Sequence, residues 1–284
     1  RAHKEAVSAA VSYANRCPYC VDAHSMALQA TDGNDAAAAI AAGDFDTLTD
    51  PALRALVLWA AQSGAPAANG AQTPFASREA PELIGTAVTF HYLNRMVHLY
   101  LDASPLMLPD MLRGMKQPLM QMGARMMGEL VRERQTPGAA LQFTSPADLP
   151  ADLAWAGASP TIAAAVAGMS AVTEAAAARL VPPTVRHMVA LRVAEWQGEE
   201  MGMSRTWLGE AVADLEEGDR PLARLLLLTA VASYQVDGDS VDAARAGLDD
   251  AALIGATAWA AWLAARRIGS WLGADQSVSV LRST

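Results

Sequence analysis

Long segments rich in Ala, Leu and Met, with Pro and Gly mostly between them, are the feature that most limits what this chain can fold into. Such residues favour helices, and runs of β-branched residues that alternate with polar ones are missing. The pattern predicts an all-α protein. Helices are expected at 2–15, 18–30, 35–41, 51–62, 77–101, 109–134, 159–179, 183–196, 204–215, 220–233, 240–248 and 251–272.

Composition and charge argue against two kinds of partner. The chain of 284 residues is 52% hydrophobic and 18% charged, which is too apolar for a disordered protein. Its net charge of −9 comes without a Lys/Arg cluster, so we expect no nucleic-acid partner. The longest apolar stretch, 253–272, contains Arg266 and Arg267, which favours a buried helix over a bilayer span. We therefore expect no membrane partner either.

The two cysteines lie three residues apart, so they do not form the disulfide framework of a small secreted domain. The chain begins at Arg1 with no initiator Met, which suggests a processed or trimmed product and neither supports nor excludes secretion. We expect a cytoplasmic protein. No Gly-rich phosphate loop opens a helix, so we expect no organic cofactor. The cysteine pair thus suggests a reactive site and not a structural disulfide.

The two halves of the sequence share ordered matches. Segments 51–60 and 221–230 have Pro, Arg, two Leu and Ala in common at an offset of 170, and the Leu-Ile-Gly of 83–85 recurs at 253–255. The matches predict an internal duplication, with an N-terminal lobe at 1–134, a linker at 135–158 and a degenerate repeat at 159–284. Chance matching between Ala- and Leu-rich helices is the alternative.

The two cysteines open a predicted helix, and two further polar residues are spaced to meet them. Cys17 falls near the N-cap, and Pro18 suits the first helical position. Cys20 lies in the first turn, where the helix dipole favours a thiolate and lowers the thiol pKa. His24 follows on the same face, and Glu5 can orient the other imidazole nitrogen if the preceding helix folds back. Together they predict one redox site.

The spacing E-x11-C-x2-C-x3-H, filled by Glu5, Cys17, Cys20 and His24, resembles the signature of the alkylhydroperoxidase-D-like branch of the carboxymuconolactone decarboxylase superfamily. The resemblance covers residues 2–101 closely, and 159–272 only as a worn version of the same helical unit. It implies an all-α, commonly oligomeric, thiol-dependent peroxidase of the alkyl hydroperoxide reductase type. We therefore expect a homo-oligomer with a hydroperoxide as substrate.

The resemblance also implies a role for each residue. Cys20, nearer His24, would be the thiol that hydroperoxide oxidises to a sulfenic acid, and Cys17 would resolve it as a disulfide. An external thiol reductant, such as a lipoyl or thioredoxin-like protein, would reduce that disulfide, while Glu5 and His24 relay the proton. Residue chemistry alone does not assign the two thiols, because in other C-x-x-C sites the first cysteine is the nucleophile.

The second copy keeps none of the redox side chains. The positions that answer the two thiols and the imidazole are about Glu199, Gly202 and Thr206, and a shift of one residue restores none of them. We therefore expect one active site, in the N-terminal lobe, with the other lobe as a scaffold.

Other interpretations of the cysteine pair stay open. A protein dithiol-disulfide oxidoreductase would use the same chemistry without peroxide turnover, and inert thiols would leave a non-enzymatic helical interaction module. A decarboxylase or lyase does not call for a C-x-x-C pair. A zinc site has suitable ligand types in Cys17, Cys20, His24 and Glu5 but needs a ligand from a distant helix, so we expect no metal.

Two further features lie outside the motif. The Met-rich segment 107–127 is expected to pack as core or interface, with a flexible substrate groove or a copper-thioether site as the alternatives. His91 and His98 share one face of a predicted helix and are expected to be structural, while a substrate-pocket role for His91, Tyr92 or Arg95 is the alternative.

Overall fold

Helices make up the regular structure in the part of the chain that the computed structural model describes, which is residues 1–32, 36–66, 73–101 and 135–282 with a few positions between 118 and 133. No strand occurs in these ranges, so the prediction of an all-α fold is confirmed. The α-helices are α1 (Ala2–Ala14), α2 (Pro18–Asp32), α3 (Ala36–Ala42), α4 (Pro51–Gln62), α5 (Ala80–Tyr100), α6 (Pro160–Leu180), α7 (Pro183–Glu195), α8 (Thr206–Ala211), α9 (Arg220–Val231), α10 (Gly238–Arg245) and α11 (Asp250–Arg282).

Short 3-10 helices lie between several of these elements, at Phe45–Thr47, Ser77–Glu79, Ala139–Phe143, Ala151–Ala156 and Ser233–Gln235. Two α-helices differ clearly from their predicted lengths. α11 continues past residue 272 to Arg282, and α8 is shorter than the predicted 204–215. Beyond α8 the side chain of Arg220 donates to the carbonyls of Ala213 and Leu215 at 3.0 and 2.9 Å, so these carbonyls are satisfied without a helix.

One set of helices packs around α1 and another packs around α7. α1 packs against α2, α4 and α5 and buries Val7 and Val11 completely. α7 packs against α9 and α11 and buries Val189 and Val193 just as fully. Each buried valine stabilises the fold by roughly 1.5–3 kcal/mol. α5 and α11 pack against each other and join the two sets.

The segment 135–158 contains a packed turn. Within Ala151–Ala156, Leu153 and Ala156 are fully buried, and the turn lies against α5, α6 and α11. The ring of Trp155 approaches Gly269 and Gly273 so closely that a Cβ at either would come within 3.1 Å of it. Glycine on α11 therefore makes room for the tryptophan.

α6 packs against α11, and its Ala167 and Ala177 are buried while Val172 is half exposed. By length and composition α6 is also the one described helix that could cross a membrane. The helix expected at 109–134 and the Met-rich segment 107–127 lie largely outside the described residues. Among the described residues of this segment, Met122 and Met126 are exposed, and Gly123 lies beside the sulfur of Met26 on α2.

Candidate active site

The turn between α1 and α2 sets the positions of both cysteines. Arg16 adopts a left-handed φ of 56°, and the next amide, that of Cys17, donates to the Ser12 carbonyl at 2.9 Å. This arrangement is the Schellman ending of a helix, although glycine usually occupies the left-handed position. Any other residue there costs about 1–2 kcal/mol. Cys17 thus stands directly before Pro18, the first residue of α2, and Cys20 lies in the first helical turn, as predicted.

Residues far along the chain hold this turn. The Nε2–H of His98 donates to the Arg16 carbonyl at 3.0 Å, and its Nδ1 accepts from the Ser233 hydroxyl at 2.9 Å. Burial lowers the pKa of His98, which keeps the ring neutral and suited to one donor and one acceptor role. The Arg16 guanidinium pairs with Glu200 at 2.7 Å and lies 4.8 Å from the centre of the Tyr234 ring. His98 is therefore a structural residue of the site, as expected.

The two thiols are free and almost fully buried, with Cys17 1% and Cys20 5% exposed. The Ser12 hydroxyl lies beside the Cys20 sulfur but donates its single proton to the Ser8 carbonyl at 2.6 Å. The Cys17 thiol and the Asn94 amide are the hydrogen-bond donors to this sulfur. These donors, the Cys17 thiol above all, outweigh burial and lower the pKa of Cys20. The same contact, together with burial, raises the pKa of Cys17. The pair thus favours a thiolate at Cys20 and keeps the shared proton on Cys17.

Glu5 and His24 form a second pair, as the spacing predicted. The Nδ1 of His24 lies 2.9 Å from a Glu5 carboxylate oxygen, and because a carboxylate only accepts, Nδ1 carries the proton. Burial raises the pKa of Glu5, but the hydrogen bond and charge of His24, with the charge of Arg1 at 3.4 Å, lower it overall. The Phe90 ring stands edge-on to the imidazole, 4.4 Å between centres. In neutral His24 this leaves Nε2 as the basic nitrogen.

The two pairs do not form one hydrogen-bonded set. In the described part of the chain, the groups that act on the Cys20 thiol are Cys17, Asn94 and Ser12, and His24 is not among them. The expectation that His24 and Cys20 share a helix face holds, because both lie on α2 four residues apart. A proton that passes between them therefore needs a carrier, such as the substrate itself or a water molecule.

A buried polar chain leads away from Cys20. The Asn94 amide donates to the Ser12 hydroxyl oxygen at 3.0 Å, and its carbonyl accepts from Asn15 at 2.9 Å. Asn15 also donates to Nδ1 of His91 at 3.1 Å, and Nε2 of His91 bonds to the Ser63 hydroxyl at 2.8 Å. Since Ser63 spends its proton on the Ala60 carbonyl at 2.6 Å, Nε2 of His91 is the donor. Each member is satisfied, and burial holds the pKa of His91 far below its usual value.

Sequence reasoning missed three members of this chain, Ser12, Asn15 and Asn94. A signal was present, because His91 and Asn94 lie three residues apart on the apolar helix α5, where polar side chains on one face need a buried partner. Their partners come from α1 and its ending, which no local pattern reveals. His91 itself is 1% exposed and uses both ring nitrogens in this network, which fits the expected packing role.

The residues named as an alternative substrate pocket are only partly brought together. His91 and Arg95 line a cavity of about 840 Å³ between α4, α5 and the region of α9 and α11. Tyr92 instead packs edge-on to Trp262, with 6.0 Å between ring centres. A second cavity, of about 750 Å³, reaches Cys17, and its wall also includes Tyr13 and Val21.

No group of three or more His, Cys, Asp and Glu side chains in the described ranges is placed to hold a metal ion. Glu199, Gly202 and Thr206, which answer the redox residues in the second copy, lie in or beside an irregular stretch at 196–205. Glu199 there accepts from the backbone amide of Gln197 at 2.7 Å. This stretch has no counterpart of the first turns of α2.

The described part of the fold is helical, and it holds a buried pair of thiols at the start of one helix. These two features define the class of the protein, an all-α protein with a dithiol site. Neither a protein-family model nor a solved structure matches the chain. The chain is 44% identical over 283 residues to alkyl hydroperoxide reductase Rv2159c of Mycobacterium tuberculosis, which covers 99% of this chain and 80% of that protein. The chain therefore belongs to the alkylhydroperoxidase-D-like family of alkyl hydroperoxide reductases.

Proposed function

We propose that the chain is a thiol-dependent peroxidase that reduces alkyl hydroperoxides by cycling through a Cys17–Cys20 disulfide. Membership of the family supports an alkylhydroperoxidase-like oxidoreductase. The observation that carries the proposal is the pair of hydrogen-bond donors to the Cys20 sulfur, the Cys17 thiol and the Asn94 amide. Such donors stabilise a thiolate, and the thiolate is the form that attacks peroxide.

In the first step the Cys20 thiolate attacks the outer oxygen of the hydroperoxide. The S–O bond forms as the O–O bond breaks, which yields a sulfenic acid on Cys20 and an alkoxide that needs one proton. That proton is the one Cys20 lost, held on Nε2 of His24 and returned to the departing alkoxide. The Glu5 carboxylate, bonded to Nδ1 at 2.9 Å, stabilises the imidazolium while it carries the proton.

In the second step Cys17 resolves the sulfenic acid. Its sulfur attacks Cys20, the S–S bond forms, the S–O bond breaks, and the hydroxyl group leaves as water with the Cys17 proton. The Cys17 thiol already donates a hydrogen bond to the Cys20 sulfur, so little movement is needed. The high pKa of Cys17 keeps it protonated, and therefore not the first thiol to be oxidised.

An external dithiol completes the cycle by giving two electrons to the disulfide through thiol-disulfide exchange. We propose a lipoyl or thioredoxin-like protein as this reductant. The cavity of about 750 Å³ that reaches Cys17 supports access from this side. The wider proposal keeps the expected homo-oligomer, the cytoplasmic location and the internal duplication. The duplication is supported by α5 and α11, which begin 170 residues apart at Ala80 and Asp250.

Thiol titration and intact mass measurement test the dithiol cycle. The reduced wild-type protein and its Cys17→Ser and Cys20→Ser variants are each treated with one equivalent of cumene hydroperoxide. The wild type is expected to lose two thiols and about two mass units. The Cys17→Ser variant is expected to hold a trapped sulfenic acid on Cys20, and the Cys20→Ser variant to stay unoxidised.

Two outcomes would contradict the proposal. A sulfenic acid on Cys17 in the Cys20→Ser variant, with none on Cys20 in the other variant, would reverse the two roles. If neither thiol reacted with the hydroperoxide while both reacted with a maleimide, the chain would instead be a dithiol-disulfide oxidoreductase or an interaction module. Exchange with oxidised glutathione would then separate these two.

A further inference from the structure

The cavity of about 840 Å³ has a wall of aromatic rings. Trp59 on α4, Trp196 after α7 and Tyr234 after α9 all line it, and neither cysteine does. A cavity of this size with aromatic walls and a few polar groups is the usual form of a small-molecule site. It adjoins the cavity that reaches Cys17, because Ala14, Arg16 and Glu200 line both.

Arg95 brings a buried positive charge to this cavity. The residue is 6% exposed and lines the cavity wall. Its Nε donates to the Ala230 carbonyl at 2.9 Å and its Nη1 to the His91 carbonyl at 2.6 Å, while the guanidinium lies 5.9 Å from the Trp196 ring centre. No described carboxylate forms an ion pair with it, so three of its five N–H groups stay available. A buried charge without a counter-charge is costly, and a bound anion would compensate it.

The two acidic residues on the same wall do not neutralise Arg95. Glu199 and Glu200 are exposed. Glu200 pairs with Arg16 at 2.7 Å, and Glu199 accepts from the Gln197 amide at 2.7 Å. Burial is the cause that lowers the pKa of Arg95 to about 10, without a contribution from either carboxylate. The acids therefore lie towards solvent, and the unpaired cation is the buried charge of the cavity.

We propose that this cavity binds an organic carboxylate with an aromatic body, whose carboxylate meets Arg95 and whose ring packs among Trp59 and Trp196. A carboxylate fits the planar fork of a guanidinium. A phosphate carries nearly two negative charges. It fits this site less well than a carboxylate does, because the site has a single buried cation and two acidic residues at its edge. The inference rests on the cavity alone and does not depend on peroxide chemistry.

Isothermal titration of the reduced, full-length chain with 2-naphthoate and with the neutral 2-naphthamide tests the site. The two probes have the same ring and differ in charge. Wild type is expected to bind naphthoate at least tenfold more tightly than naphthamide. The Arg95→Met variant is expected to bind both probes equally, because the methionine fills the space without the charge.

A second variant covers the case in which Arg95→Met does not fold. Ala55 lines the cavity and is exposed, so Ala55→Trp is expected to block both probes without disturbing the core. Ala178→Trp on the exposed face of α6 is the matched control and should leave both affinities unchanged. Equal affinity of wild type for the two probes would overturn the proposal, as would naphthoate binding that Ala55→Trp leaves intact.

Discussion

α5 and α11 pack against each other and begin 170 residues apart, yet they bury opposite chemistry. The positions 170 residues beyond His91, Asn94 and Arg95 are Ala261, Ala264 and Ala265, and all six residues are buried. Buried polar groups cost free energy unless each is hydrogen-bonded, whereas buried alanines do not. The buried face of α11 is thus apolar at these positions, whereas the buried face of α5, which lies beside the thiols, is polar. The difference separates what the fold needs from what the site needs.

The largest expected effect comes from placing the polar side chain of α5 on α11. Ala264→Asn puts an amide in a fully buried position, and the residue 182 positions beyond Ser12 is Ala194, which has no polar side chain. We expect a loss of roughly 3 kcal/mol in the free energy of unfolding, from the unpaired amide and from overpacking. Urea unfolding measures it, and Ala251→Asn, at an exposed position of the same helix, is the control. A loss below about 1 kcal/mol would mean that α11 tolerates polar groups as α5 does.

Removal of the imidazole beside Glu5 should have the next largest effect. His24→Ala is expected to lower kcat/KM for cumene hydroperoxide about 100-fold, which is roughly 2.7 kcal/mol, because the departing alkoxide loses its proton donor. Steady-state peroxide consumption with a dithiol reductant measures this loss. His187→Ala, an exposed histidine of α7, should leave the rate unchanged. An unchanged rate in His24→Ala would remove His24 from the proposed relay.

The comparison of the two helices also shows what the sequence could reveal. The helices follow from periodicity, because it depends on near neighbours along the chain. The pairing of His24 with Glu5 follows from the four-residue motif only if α1 folds back against α2, which it does. The contact of Asn94 with Cys20 depends on how α5 packs beside α1. The ion pair of Arg16 depends on where Glu200, 184 residues further along the chain, lies in the fold. These long-range contacts have no spacing rule, so they were found only in the folded chain. The predicted division of the chain into two lobes and a linker stays a prediction.

The third substitution gives α5, beside the thiols, the alanine that α11 has at the corresponding position. Asn94→Ala removes one donor to the Cys20 sulfur and is expected to raise the pKa of that thiol, so that the rate of its alkylation near neutral pH falls about tenfold. The pH dependence of Cys20 alkylation by iodoacetamide measures the shift, in the Cys17→Ser background. Thr229→Ala is the control, because Thr229 is fully buried and bonds to the Leu225 carbonyl of its own helix at 2.7 Å. A midpoint unchanged by Asn94→Ala would show that the amide does not stabilise the Cys20 thiolate.

The smallest expected effect is on the free energy of unfolding at acid pH, through the carboxylate of Glu5. The pKa of Glu5 lies below its ordinary value of 4.5 in the folded chain, so the carboxylate contributes stability above that value. This contribution disappears as the pH falls from 4.5 through the lower, folded pKa. Glu5→Gln keeps an acceptor for His24 but removes the charge, so it should cost about 1 kcal/mol or less at pH 7.

The difference between wild type and Glu5→Gln should therefore shrink as the pH is lowered from 7 to below 4.5, as measured by urea unfolding at each pH. The position 182 residues beyond Glu5 is His187, which is exposed, and His187→Gln should change stability little at pH 7. If the Glu5→Gln difference instead grew on acidification, the carboxylate would be held in its neutral form. It could then not stabilise an imidazolium at His24, and the relay would have to run without that charge.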